Sequence, residues 1–65
     1  MDNIELDELT RAAELMDRIG GGFASSIAQA FYRADASNRA RLVAAFPDLF
    51  DRYRDMARSD VERAE

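Results

Sequence analysis

The chain contains no cysteine and no histidine. Without cysteine there is no disulfide to staple the fold and no thiolate to hold a metal, and the protein suits a reducing cytoplasm. Without histidine the commonest general base and soft-metal ligand are missing, so Ser25, Ser26, Ser37 and Ser59 have no imidazole to activate them. Lysine is absent as well. All nine basic residues are arginine, which fits selection for bidentate contacts and fits still better the bias of a GC-rich coding sequence. No apolar run approaches the roughly 20 residues of a bilayer span, and Met1-Asp2-Asn3-Ile4-Glu5 is acidic where a secretory leader is basic. The expectation is a soluble, cytoplasmic protein with no membrane partner.

What is present fits one small globular domain over residues 1–65. A chain of this length buries only about 60% of the surface that its unfolded form exposes, so its core is thin. An apolar content of 48% beside 34% charged residues separates it from a disordered tail. There is no internal repeat, and Gly20-Gly21-Gly22 is the only low-complexity stretch.

Every apolar series runs at the helical period and none alternates at period two. Leu6, Leu9, Ala13 and Met16, widened by Ala12 and Ile19, predict a first helix. Asp2 or Asn3 can cap it, the three glycines supply left-handed residues to end it, and Asp7–Arg11 and Glu14–Arg18 are spaced for acid-first pairs. Phe23, Ala24, Ile27, Ala28, Phe31 and Ala34 predict a second helix, with Ala24 and Ala28 small enough for close approach. Asp35-Ala36-Ser37-Asn38 reads as a turn with caps, and Leu42, Val43 and Phe46 as a short third helix stopped at Pro47. Pro47 also suits the first turn of a fourth helix bearing Leu49, Phe50, Tyr53, Met56 and Ala57, with Val61 able to extend the stripe. The predicted fold is all-α, a small bundle of three to four short helices. Its expected core is Leu9, Met16, Phe23, Ile27, Phe31, Leu42, Phe46, Leu49, Phe50, Tyr53 and Met56.

Catalysis finds little support in these residues. The glycine triplet follows no strand and precedes no lysine, so it reads as a helix stop and not as a phosphate cradle. Asp48, Asp51 and Asp55 have carboxylates suited to a hard cation, but they are spaced along a helix and not through a glycine-containing loop. No catalytic residue, metal or cofactor is expected. Direct nucleic-acid binding is disfavoured at a net charge of -4, because phosphate contacts rely on basic side chains.

The charges divide along the chain. Residues 1–19 carry six acids against two arginines, and residues 47–65 carry six against four, whereas residues 20–46 hold three arginines and Asp35 alone. On a helical wheel Asp48, Asp51, Asp55 and Glu62 fall within about 60° of one another, roughly opposite the apolar stripe. Asp7, Glu14 and Asp17 form a shorter ridge on the first helix. Steps of three, four and seven residues separate such carboxylates by roughly 4 to 11 Å along the axis, a spacing able to track the phosphates of one strand. Solvated acids on an amphipathic helix are the plain reading. The functional one is imitation of a nucleic-acid backbone before an arginine- and lysine-lined groove.

Phe31-Tyr32-Arg33-Ala34-Asp35 to Asn38, then Leu42, Ala45-Phe46-Pro47-Asp48-Leu49-Phe50 and Tyr53, resembles a pattern in small orphan proteins encoded by bacteriophages and prophages. These are packing and turn residues and imply a fold more than an activity. In size, acidity and lack of catalytic groups the chain also resembles anti-CRISPR proteins. That resemblance implies DNA mimicry or steric blocking of a CRISPR effector complex in the cytoplasm of a bacterial host, and it carries over no functional residue. The expected function is thus a non-enzymatic phage-type inhibitor. It would present Asp48, Asp51, Asp55 and Glu62, with Asp7, Glu14 and Asp17, to a nucleic-acid-binding protein partner. The alternative is a helical interaction or oligomerisation module whose partner meets an apolar face.

Overall fold

The computed structural model describes the backbone of residues 3–63 and the side chains of residues 4–59. Four helices follow one another: α1 (Asn3–Ile19), α2 (Gly21–Arg33), α3 (Ala36–Ala45) and α4 (Pro47–Arg63). There is no strand among the described residues. The fold is all-α, as the period of every apolar series requires.

Helix α1 is the centre, packed against α2 on one side and α4 on the other. It buries Leu9, Ala12, Ala13 and Met16. Opposite them lie Ala24, Ala28 and Phe31 of α2 and Phe50, Tyr53 and Ala57 of α4. Half of these ten residues are alanines, which lets the helices approach closely, and Phe31, Phe50, Leu9 and Met16 are the largest side chains wholly buried between them. The Phe31 and Phe50 rings meet with centroids 5.7 Å apart, tilted by 48°. Helix α3 packs lightly on α2 and α4 and buries no residue of its own.

The expected core holds for Leu9, Met16, Phe31, Phe50 and Tyr53, with Ile27, Leu42, Phe46 and Leu49 half-buried around them. Phe23 and Met56 are corrections, at 62% and 38% exposure, and so is Ile19 at 57%. Phe23 lies about 100° around α2 from the buried Ala24 beside it, at the edge of the apolar stripe, where its ring meets the half-buried Phe46 and stays largely open to solvent.

The glycine triplet joins two helices without a loop. Gly20 is the junction and α2 begins at Gly21, so the second and third glycines open a helix and do not end one. Gly21 alone has a left-handed backbone, at φ 80°. Gly20 is required for space: a Cβ there would lie 2.5 Å from the Cβ of Ala24, 2.6 Å from the Met16 carbonyl oxygen and 3.1 Å from the Tyr53 hydroxyl. Its N–H donates to that Met16 carbonyl at 3.0 Å, closing α1.

Asp35 caps α3 as its position suggests, its carboxylate accepting the Asn38 N–H at 2.8 Å from an extended backbone. Helix α3 ends at Phe46, whose N–H donates to the Leu42 carbonyl at 3.0 Å. Pro47 then starts α4, where its missing N–H costs nothing.

Candidate interaction surface

The side of α4 that faces α1 is not wholly apolar. Glu8 of α1 accepts from Arg58 Nη2 at 2.8 Å and lies 3.9 Å from Arg54 Nε. Arg54 in turn reaches Asp51 of its own helix at 3.3 Å. One carboxylate thus collects two guanidinium groups across the helix pair, at a site where all three side chains are a quarter or more exposed. Partial exposure keeps each pair at about 0 to 1 kcal/mol, so this cluster fixes register more than it stabilises. Neither Glu8 nor this use of Arg54 and Arg58 follows from the sequence, because the partners lie in different helices.

With Arg54 and Arg58 turned toward α1, the outer face of α4 carries its acids and the exposed Arg52. Asp48, Asp51 and Asp55 are all exposed, and Asp48 and Asp55 form no ion pair among the described residues. Glu62 lies outside the described side chains. On α1, Asp7, Glu14 and Asp17 are exposed too. The expected pairs Asp7–Arg11 and Glu14–Arg18 do not close within ion-pair distance. Asp17 instead accepts the Ser25 hydroxyl of α2 at 2.8 Å. The field of this shorter ridge is felt at Tyr32. Burial raises that phenol above its ordinary pKa, and Asp17 and Glu14 push the same way against Arg18.

Helix α3 has a different character. Arg39 of α3 lays its guanidinium 4.8 Å from the centroid of the Phe31 ring. Its Nε donates to the Phe31 carbonyl at 2.9 Å and its Nη2 to the Tyr32 carbonyl at 3.4 Å. It therefore satisfies carbonyls at the C-terminal end of α2, where a cation is also favoured by the helix dipole. An open groove of about 450 Å³ beside it is bordered by Leu6, Ala34, Ala36, Arg39 and Ala40. The only charged group on that groove is the one already committed to α2.

No three of His, Cys, Asp or Glu gather into a metal-holding group among the described residues, and no described helix is long and apolar enough to cross a membrane. No family model, no curated protein and no solved structure matches this chain.

Proposed function

We propose that this chain is a non-enzymatic binding protein that seats the acidic outer face of α4, joined by that of α1, on a basic nucleic-acid-binding surface of a protein partner. In the setting implied by the anti-CRISPR resemblance, that partner is a CRISPR effector complex of a bacterial host, and the chain acts as a DNA mimic or steric blocker. One observation carries the reading: the fold spends Arg54 and Arg58 on Glu8 and leaves Asp48 and Asp55 unpaired on the solvent side of α4, with Asp51 exposed beside them though bonded to Arg54. Carboxylates held in a row by a rigid helix suit a groove that otherwise meets phosphates, and they steer its approach.

The test is a triple change, Asp48→Asn, Asp51→Asn, Asp55→Asn, in chain immobilised to capture nucleic-acid-binding proteins from a bacterial lysate. The parent should retain such a partner at about 50 mM salt and release it by about 500 mM, because exposed charge pairs are screened over that range. The triple variant should lose the partner at every salt concentration while keeping its helical circular dichroism. Arg52→Gln is the matched control, since it makes the face more negative without touching the Glu8 cluster, and it should bind at least as well as the parent. Undiminished capture by the folded triple variant would mean that the ridge is only a solvated face.

A further inference from the structure

Two arginines are half-buried among the described residues, Arg39 and Arg54. Arg54 meets the carboxylates of Glu8 and Asp51, whereas Arg39 meets no carboxylate at all. Its partners are neutral: the Phe31 carbonyl, the Tyr32 carbonyl and the face of the Phe31 ring. They fix where the guanidinium sits without cancelling its charge. They also take only two of the five N–H donors that a guanidinium carries, so three are left without a protein acceptor. A cation drawn partly out of water and left unpaired attracts an anion more strongly than one in bulk solvent.

Arg39 also borders the groove of about 450 Å³, whose other walls are Leu6, Ala34, Ala36 and Ala40. The volume is that of a small-molecule site, and so is the lining, with apolar walls and one charged group to set orientation. No carboxylate borders the groove. Residues 20–46 hold three arginines against Asp35 alone, and the Asp35 carboxylate is engaged by the Asn38 N–H. Glu5 and Asp7, which flank Leu6 in α1, are exposed, so solvent and salt screen them.

We infer that this groove binds a small carboxylate with an apolar tail, the head on Arg39 and the tail along Leu6, Ala36 and Ala40. An inorganic anion would leave the apolar walls uncovered, and a neutral apolar molecule would leave the guanidinium unpaired. The inference stands apart from the acidic-face reading, since it uses none of those carboxylates and needs no macromolecular partner. An open groove and a ligand of about ten heavy atoms give a Kd on the order of 1 mM.

Octanoate is the probe, titrated into the full chain to about 20 mM, well above a Kd of that order, with binding read from amide chemical shifts. Saturable shifts should appear at Leu6, Ala34, Ala36 and Ala40. Acetate, which lacks the tail, and octylammonium, which inverts the head, should each bind there at least about tenfold more weakly. Octylammonium is the sharper comparison, because non-specific adsorption to a chain of net charge -4 would favour it. Arg39→Met should weaken octanoate binding by about tenfold or more. Because that change also loosens α3, a second pair of variants acts at the exposed Ala40, where Arg and Glu are both good helix formers. Ala40→Arg should tighten octanoate binding and Ala40→Glu weaken it, each by about threefold. No saturable shift at these residues, octylammonium bound there as tightly as octanoate, or two folded Ala40 variants with the affinity of the parent overturns the inference.

Discussion

Helices α1, α2 and α4 each contribute side chains with almost no solvent exposure, whereas α3 buries none, yet all four are equally regular. The two regions are held by different physics. The three-helix core rests on non-directional burial of alanines around Phe31, Phe50, Leu9 and Met16. Helix α3 rests on the half-buried Leu42 and Val43 and on a few directional contacts: the Asp35 cap, the Arg39 bonds to α2, and Phe46 against Phe23. Burial is cooperative and shared among many residues, while end contacts are few and fail singly. The expectation is that the three-helix core unfolds globally while α3 opens on its own.

That contrast is open to direct attack. Phe50→Ala should have the largest effect, about 3 to 5 kcal/mol, because the ring is 1% exposed and packs on Phe31. A loss of that size removes much or all of the roughly 5 to 15 kcal/mol of a small domain, and urea denaturation followed by circular dichroism would register it as global unfolding. Arg39→Met should cost less, about 1 to 2 kcal/mol, since it keeps the alkyl stem but removes the charge over Phe31 and its hydrogen bonds to two carbonyls. Its effect should be local, with hydrogen exchange accelerated in α3 while the amides around Met16 and Phe50 keep their protection. Uniform acceleration throughout the chain would show that α3 belongs to the cooperative core after all. Asp35→Ala should cost least, about 1 kcal/mol, by releasing the Asn38 N–H, and should be confined to the first turn of α3 in the same measurement.

The features legible in the sequence are those set by neighbours along the chain. Pro47 opening α4, Asp35 capping α3 and the apolar faces of all four helices follow from local rules, and so does the outward direction of Asp48, Asp51 and Asp55. Contacts between helices do not. Periodicity assigns a residue to the apolar side but cannot tell how wide a strip of it is covered, which is why Phe23 and Met56 are exposed although the adjacent Ala24 and Ala57 are buried. The same limit hid the Glu8 cluster and the Arg39 bonds, because each joins residues at least seven positions apart. It also hid the contact between the Phe23 and Phe46 rings, which lie 23 positions apart in the chain.

The crowding at Gly20 has a kinetic consequence. Helices α1 and α2 are joined without a loop, so their contacts form between near neighbours, with little chain entropy to overcome. Helix α4 must instead close a loop of tens of residues before Tyr53 settles against Gly20 and Arg58 finds Glu8, fifty positions away. Loop closure of that length places the docking of α4 late, after the α1–α2 pair exists as a platform. Gly20 is then the landing point, already shaped by Met16 and Ala24 before the hydroxyl arrives. A methyl group at that position spoils the platform itself. Gly20→Ala should accordingly slow refolding more than it speeds unfolding, placing the junction of the first two helices in the folding nucleus.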